Sequence, residues 1–243
     1  MDNYEYCATW VTEHIPSAAA RVLDYGCGDG RIVGALRELG VEAYGCDVFY
    51  QGGDVSRRVP AGMFGSVIRR MEGGRIPFED QSFDIVTSNQ VIEHVEDLES
   101  VVAELARVTK PGGFIMSLFP DKSSWREVHC GIPFLHRFPK GSTSRVYYAA
   151  LLRLCGLGNF KNGKRTLQWS RDFCTWLDDW TFYRPIDEVK ACFLTRFESV
   201  TEEGDAWLRR RFGGRAMFLG VMPHSAQLWV AARGGCRALV ARR

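Results

Sequence analysis

The chain has 243 residues, of which 46% are hydrophobic and 25% charged, and its 31 basic and 29 acidic residues leave a net charge of +2. These values are typical of a globular protein of one large domain, and they supply no general attraction for nucleic acid or a membrane surface. The eight cysteines include no CxxC pair and favour a reducing compartment over a disulfide framework or a zinc site. The N-terminal segment lacks the basic start and apolar stretch of a signal peptide, and no apolar run approaches the ~20 residues of a membrane helix. We therefore expect a cytoplasmic protein without a membrane span.

The first half of the chain alternates short apolar runs with amphipathic segments. Strands are predicted at Arg21–Tyr25, 41–46, 83–88 and 114–119, and helices at 31–39 and Leu98–Val108. This alternation predicts an α/β fold, a Rossmann-like, doubly wound, mostly parallel sheet with helices on both faces. In such sheets ligands bind outside the carboxyl ends of the strands, near the switch in strand order.

The alternation stops after Pro120. Residues 121–181 are rich in aromatic side chains and histidines, with predicted helices at 144–154 and Thr166–Trp180. Because a structureless loop of this length is improbable in a compact domain, we interpret the segment as an inserted lid or cap after the fifth strand. Residues 182–243 are expected to complete the core sheet, with a helix at Ile186–Leu194 and strands at 197–201 and 227–232. The basic segment 233–243 is expected to be a frayed, solvated tail.

A glycine-rich turn, DYGCGDG, occupies residues 24–30 at the end of the first predicted strand. A dinucleotide fingerprint would need a third glycine where Arg31 stands, and the P-loop pattern is absent. Asp24 directly before the turn would repel a pyrophosphate but suits a cationic group. Asp47, at the end of the second strand, can accept hydrogen bonds from both hydroxyls of a ribose. The pattern therefore predicts a positively charged nucleoside rather than a phosphate-bearing one.

Four motifs in a fixed order carry a resemblance to a known family. They are LDYGCGDG at 23–30, Asp47, IPFEDQSFDIV at 76–86 and LARVTKPGG at 105–113. Together they resemble the class I S-adenosylmethionine-dependent methyltransferases, in the subgroup that modifies small molecules. The resemblance covers residues 18–119 and, more loosely, the last two strands. It implies that residues 1–120 bind S-adenosyl-L-methionine, that a small-molecule acceptor meets the cap at 121–181, and that S-adenosyl-L-homocysteine is the product.

The resemblance also implies cofactor contacts at nine positions near the strand ends. They are Asp24, Gly26 and Gly28 for the methionine moiety, Asp47 for the ribose, Met71 and Glu72 for the adenine, and Ser88, Asn89 and Gln90 for the wall beside the transferable methyl.

The candidate catalytic residues lie in the cap. Methyl transfer from a sulfonium is an in-line displacement with a good leaving group, so aligning the acceptor and excluding water are the protein's main tasks. A hydroxyl acceptor gains from a general base, and His129 and His136 are the candidates. They could instead hydrogen-bond to the cap backbone, and His94 is expected to anchor its segment rather than act as a base. Two histidines without a third ligand make a poor metal site, so no metal is expected.

Two other functions share parts of this pattern. A non-catalytic S-adenosylmethionine-binding sensor or partner protein would have the same cofactor half, and only the shape of the cap would distinguish it. A nucleic-acid methyltransferase is disfavoured because residues 88–91 read SNQV rather than a proline-rich loop, because no Pro-Cys pair occurs, and because the net charge is nearly zero. The acceptor, the oligomeric state and any motion of the lid are left open.

Overall fold

The computed structural model describes residues 1–213 and 221–243, and in these ranges the chain forms seven strands and eight α-helices around a single sheet. The strands are β1 (Arg21–Tyr25), β2 (Glu42–Asp47), β3 (Ile68–Arg70), β4 (Phe83–Asn89), β5 (Thr109–Phe119), β6 (Ser199–Glu202) and β7 (Arg237–Arg242). The helices are α1 (Asn3–His14), α2 (Arg31–Glu38), α3 (Leu98–Val108), α4 (Thr143–Leu154), α5 (Thr166–Trp180), α6 (Ile186–Leu194), α7 (Gly204–Phe212) and α8 (His224–Arg233). None of these helices is both long and apolar enough to cross a bilayer.

The sheet has the strand order β3-β2-β1-β4-β5-β7-β6. The pairs from β3 to β5 are parallel, whereas β7 runs antiparallel to both β5 and β6. The predicted Rossmann-like, mostly parallel fold is thus confirmed. Strand order reverses between β1 and β4, and the crevice at their carboxyl ends is where such sheets bind ligands.

Helix α1 was not predicted, although its start is written in the sequence. The Asp2 side chain accepts a hydrogen bond from the Glu5 amide, and the Glu5 side chain accepts one from the Asp2 amide. This reciprocal pair is a capping box, which stabilises the first turn. The helix buries Tyr6, Trp10 and Val11 in the core on one side of the sheet.

Two predictions for the C-terminal segment were wrong. Residues 227–232, expected as a strand, lie within α8, which begins after Pro223. A six-residue apolar run has no period that separates strand from helix, so length and flanking residues decide. The expected solvated tail at 233–243 contains β7, which is buried between β5 and β6. Its four central residues are apolar, and only its ends are charged.

Several smaller differences concern strand boundaries. The short strand β3 was not predicted, β5 begins five residues earlier than expected, and β6 starts at Ser199 rather than at residue 197. Strand ends depend on pairing with neighbours, which local patterns do not reveal.

Residues 121–181, which we call the cap, lie between β5 and the last helices of the core. Helices α4 and α5 pack on each other over a separate apolar cluster that includes Ile132, Leu135, Trp169 and Leu177. The buried Arg145 side chain pairs with Asp178 and ties the two helices together. The predicted cap helices are therefore present, and they have a small core of their own.

Candidate functional site

The glycine turn after β1 is held close to β2 and to the segment after β4. Gly26, Gly28 and Gly30 all have positive φ, a conformation that costs other residues roughly 1–2 kcal/mol. The amides of Gly26 and Cys27 both donate to the Cys46 carbonyl. A Cβ on Gly26 would lie 2.3 Å from a methyl of Val91, so only glycine fits there. The turn therefore presents bare backbone at the carboxyl end of β1.

Replacing Gly26 with alanine is expected to lower the melting temperature more than replacing Gly40 with alanine. Both glycines have strongly positive φ, but a Cβ on Gly40 meets nothing within 4 Å. The difference between the two variants thus isolates the overlap with Val91, for which we expect about 1–3 kcal/mol. Thermal unfolding monitored by circular dichroism measures it, and equal losses in both variants would contradict the close approach.

Asp47 ends β2 beside this turn. One of its carboxylate oxygens accepts from the Gly28 amide at 2.9 Å, and the other accepts from the Phe49 amide at 2.6 Å. Burial raises the pKa of Asp47, although these two backbone hydrogen bonds oppose the shift. Each oxygen keeps a free lone pair, so the fixed carboxylate can still accept a pair of hydroxyl donors.

Asp24 lies beneath the turn and is almost fully buried. Thr87 on β4 donates to its carboxylate at 2.9 Å. Burial raises the pKa of Asp24 to about 7, against the effect of this hydrogen bond and with a smaller contribution from the nearby charge of Asp47. No cationic side chain in the described part of the chain forms an ion pair with Asp24. A cationic ligand nearby would therefore favour its ionised form.

A cavity of about 620 Å³ opens at the carboxyl ends of β1, β2 and β4, and we call it the sheet cavity. Five of the nine predicted cofactor residues line it, namely Gly26, Gly28, Asp47, Met71 and Gln90. Its wall also includes Tyr25, Tyr50, His94 and Trp180, together with the carboxylates of Glu96 and Asp97. Of the residues described, no lysine or arginine lines it.

The other four predicted cofactor residues lie outside this wall. Asp24 is beneath the turn. Glu72 is exposed, and its backbone forms an isolated β-bridge with that of Arg75. Ser88 is fully buried, and its hydroxyl has no partner in the part of the chain that the structure describes; Asn89 accepts a hydrogen bond from the Asn3 side chain.

A pair of histidines joins the core to the cap. His94, just after β4, and His129 of the cap place their Nε2 atoms 3.1 Å apart. The Nδ1 of His94 lies 2.6 Å from the Trp180 carbonyl, and the Nδ1 of His129 lies 2.6 Å from the Glu127 carboxylate. Because a carbonyl and a carboxylate can only accept here, both Nδ1 atoms carry the proton. His94 thus binds the end of α5 rather than only its own segment, and it also faces a second histidine.

The carboxylates around this pair are in very different environments. Glu127 accepts hydrogen bonds from His129, Tyr183 and the Cys130 amide, which together outweigh burial and lower its pKa to about 2. Burial lowers the pKa of His129, but the hydrogen bond to Glu127 and the charge of Glu127 together outweigh burial. The pKa of His129 is therefore above its usual value. Glu93 is 1% exposed, and within residues 1–213 and 221–243 neither of its oxygens has a hydrogen-bond partner. Burial raises the pKa of Glu93 to about 8 and lowers that of His94 to about 4.

His136, the second candidate base, lies apart from this pair. Its ring packs on Tyr183 at 4.7 Å between centroids, and its Nε2 lies 3.4 Å from the Lys122 carbonyl. Burial lowers its pKa. His136 lines neither the sheet cavity nor the cap cavity described next.

A second cavity, of about 690 Å³, lies in the cap on the other side of the histidine pair, and we call it the cap cavity. Its lining combines four aromatic side chains and His129 with three polar residues, namely Phe160, Trp169, Phe173 and Trp176 beside Asn162, Lys164 and Asp172. Trp176 donates to the Gly52 carbonyl of the core at 3.0 Å, which places the aromatic wall close to the sheet cavity. His94 lines one cavity and His129 the other, so their contact joins the two.

The strand order, the glycine turn and the acidic nucleoside-sized cavity together define a class I methyltransferase fold. Residues 23–117 match the family described as a methyltransferase domain. This segment is therefore a class I S-adenosylmethionine-dependent methyltransferase domain, and S-adenosylmethionine is the cofactor of that class.

Relatives and solved structures agree with this assignment. The chain is 33% identical over 118 residues to a ubiquinone biosynthesis O-methyltransferase of Thiobacillus denitrificans, covering 44% of this chain and 47% of the relative. It is 30% identical over 127 residues to the enzyme of that name from Proteus mirabilis, covering 50% and 52%. These matches span about half the length of the relatives. An S-adenosylmethionine-dependent methyltransferase from Mesorhizobium loti shares the fold over 99% of this chain and 100% of its own, with a TM-score of 0.55 and 15% identity.

The residues at the sheet cavity fit S-adenosylmethionine. Gly26 and Gly28 line the cavity with backbone alone, and Asp47 is fixed with lone pairs for the ribose hydroxyls. The carboxylate of Asp47 and the acidic residues Glu96 and Asp97 at the lining suit a ligand that carries a sulfonium and an ammonium. No basic residue of the described chain lines the cavity, which disfavours a phosphate-bearing nucleotide.

Proposed function

We propose that the chain transfers the methyl group of S-adenosylmethionine to a hydroxyl of a small, planar acceptor that binds in the cap cavity. The observation that carries the proposal is the pair of adjoining cavities, one acidic and nucleoside-sized and the other aromatic, joined at His94 and His129. Clefts lined by aromatic side chains with a few polar groups are typical small-molecule sites. The printed name of the relatives, which describes O-methylation, supports a hydroxyl acceptor.

The cofactor contacts follow from the positions along the strand ends. Gly26 and Gly28 would lie against the methionine moiety, with Asp24 beneath them supplying negative charge, and Asp47 would hold the ribose. The adenine would contact Met71, with Glu72 at the rim. Ser88 and Asn89 end β4, Gln90 follows the strand towards the methyl, and of these three residues Gln90 lines the cavity.

The chemistry that the cofactor supplies is a methyl group on a positively charged sulfur. The new bond joins the acceptor oxygen to the methyl carbon as the bond to sulfur breaks, the sulfur keeps the electron pair, and the acceptor's proton is released. The protein's share is to align the two reactants and exclude water, which can lower a barrier by ~7–11 kcal/mol. His129, which faces both the acceptor cavity and His94, promotes loss of the proton.

The first test compares ligands. Calorimetry is expected to show micromolar binding of S-adenosylmethionine and S-adenosylhomocysteine, and no binding of ATP or NAD at the same concentration. Tight binding of ATP or NAD, displaced by S-adenosylhomocysteine, would overturn the assignment of the sheet cavity.

The second test concerns turnover. The protein is incubated with methyl-labelled S-adenosylmethionine and a panel of phenols, catechols and hydroxyquinones, and labelled products are separated by chromatography. We expect an O-methylated product from at least one planar member. Binding of the cofactor without turnover of any member, including amines and thiols added to the panel, would favour the sensor function instead.

A further inference from the structure

We propose that Glu93, His94 and His129 form a binding site for one divalent transition-metal ion of the zinc class. One donor atom from each residue lies within 4.8 Å of the others, which is close enough for a common ion. Two histidines and one glutamate are a known zinc donor set, in which the remaining position is open to water or substrate. The proposal goes beyond the methyl-transfer function and rests on it only for the ion's catalytic use.

The histidine tautomers supply the first argument. Both Nδ1 atoms face acceptors at 2.6 Å and therefore hold the proton. If both rings are neutral, their Nε2 lone pairs face each other across 3.1 Å, which is repulsive; either a proton on one Nε2 or a cation between or beside the two rings removes this repulsion. Tetrahedral zinc with bonds of about 2.1 Å holds its ligand atoms about 3.4 Å apart, near the separation observed.

Glu93 supplies the second, independent argument. Its side chain is 1% exposed, and both carboxylate oxygens lack any hydrogen-bond partner among the described residues. A buried ionised carboxylate without partners is strongly unfavourable. Protonation removes its charge but leaves its oxygens unpaired, and native proteins satisfy such oxygens with an ion or a buried water. A proton shared between the histidines would leave Glu93 unexplained, whereas a metal ion uses all three residues.

The groups behind the ligands complete the pattern. Metal-bound histidines almost always donate their other ring N–H to a carboxylate or a backbone carbonyl, which fixes the tautomer and raises ligand basicity. Here His129 donates its Nδ1–H to Glu127, and His94 donates its Nδ1–H to the Trp180 carbonyl. Glu127 is itself held by Tyr183 and the Cys130 amide, so it is positioned rather than free to ligate.

The position of the site indicates what the ion would do. His94 lines the sheet cavity and His129 the cap cavity, so an open coordination position would face the place where methyl donor and acceptor meet. A divalent cation there acts as a Lewis acid towards a hydroxyl acceptor and makes its proton easier to lose. His129 would thus act as a ligand rather than take the proton itself.

Metal binding is tested directly on the whole chain. Protein stripped with a chelator is titrated with Zn²⁺ against a competing indicator dye, and Co²⁺ is added separately to record the visible absorption of its coordination sphere. We expect one tight Zn²⁺ per chain and intense Co²⁺ bands that Zn²⁺ removes. In Glu93→Gln and His129→Gln the affinity is expected to fall at least 100-fold, and in Glu127→Gln about 10- to 100-fold.

His224→Gln is the matched control, because His224 is an exposed histidine on α8 away from the cluster. It should bind Zn²⁺ like the unmodified chain. Melting temperature and S-adenosylhomocysteine affinity, measured on every variant, show that the fold is kept. The proposal is overturned if the unmodified chain binds Zn²⁺ no more tightly than His129→Gln does, or if Co²⁺ gives no such bands.

Activity separates this proposal from the methyl-transfer function. Metal-free protein that binds S-adenosylhomocysteine and methylates its acceptor at the full rate would overturn the ion's catalytic role and leave the function intact. Tight Zn²⁺ binding by a chain that does not bind S-adenosylmethionine would overturn the methyl-transfer function and leave the metal site intact.

Discussion

Replacement of Asp47 by alanine is expected to weaken S-adenosylmethionine binding at least tenfold, which corresponds to about 1.4 kcal/mol. The Asp47 carboxylate is fixed by hydrogen bonds from the Gly28 and Phe49 amides, and Asp47 lines the cavity. It can therefore accept hydrogen bonds from both ribose hydroxyls without reorganising. Hydrogen bonds to a charged acceptor contribute about 1.5–3 kcal/mol each, which makes tenfold a lower bound. Calorimetric titration with S-adenosylhomocysteine measures the loss.

The control for this variant is Asp54→Ala. Asp54 is an exposed carboxylate a few residues further along the same loop, where it pairs loosely with Arg70. Its removal changes the net charge equally, and because Asp54 itself does not line the cavity, affinity should stay within twofold. Asp47→Asn adds a second comparison, because asparagine keeps one acceptor oxygen for a backbone amide but loses the charge. Unchanged affinity in both Asp47 variants would remove this residue from the site.

The cofactor half of the site could be predicted because its geometry is local. Gly26, Gly28 and Asp47 each lie within a few residues of the end of a buried strand, and parallel strands bring their carboxyl ends to one edge. A strand followed by a glycine turn can therefore be recognised in the sequence, and the edge of the sheet where its last side chains lie can be predicted. The preference for a positively charged ligand could also be predicted from the sequence, because Asp24 precedes the glycine turn. The lining of the cavity adds two further acidic residues, Glu96 and Asp97.

The histidine cluster could not be predicted from local patterns. His94 and His129 are 35 positions apart in the chain, and the Trp180 carbonyl that fixes His94 is 86 positions away. The two histidines of the cap have no third candidate ligand among the cap residues, because Glu93 and His94 come from the core. The pair Glu93-His94 after the third predicted strand was the available signal.

The predictions for the C-terminal segment were wrong for a similar reason. The residues of β7 include arginines at both ends, and only pairing with β5 and β6 shows that the middle four are core. Arg237 is neutralised by Asp121 and Glu202, partners that lie 116 and 35 positions away. Long-range ion pairs of this kind make a basic stretch compatible with burial.

The second large effect is expected from His129→Ala. We predict that turnover of a hydroxyl acceptor falls at least 100-fold, the lower end of the range for losing assistance to proton removal. The S-adenosylhomocysteine affinity should change less than twofold, because His129 lines the cap cavity and not the sheet cavity. Steady-state kinetics with the acceptor found in the panel, combined with calorimetry, separates the two quantities.

His136→Ala examines the other candidate, and His224→Ala serves as the neutral reference. His136 packs on Tyr183 and faces the Lys122 carbonyl, so its loss is expected to act only indirectly, through Tyr183 and Glu127. A loss of turnover in His136→Ala with an active His129→Ala would move the role to His136. Full turnover in both variants would mean that neither histidine assists the proton, and that alignment of the acceptor supplies the rate by itself.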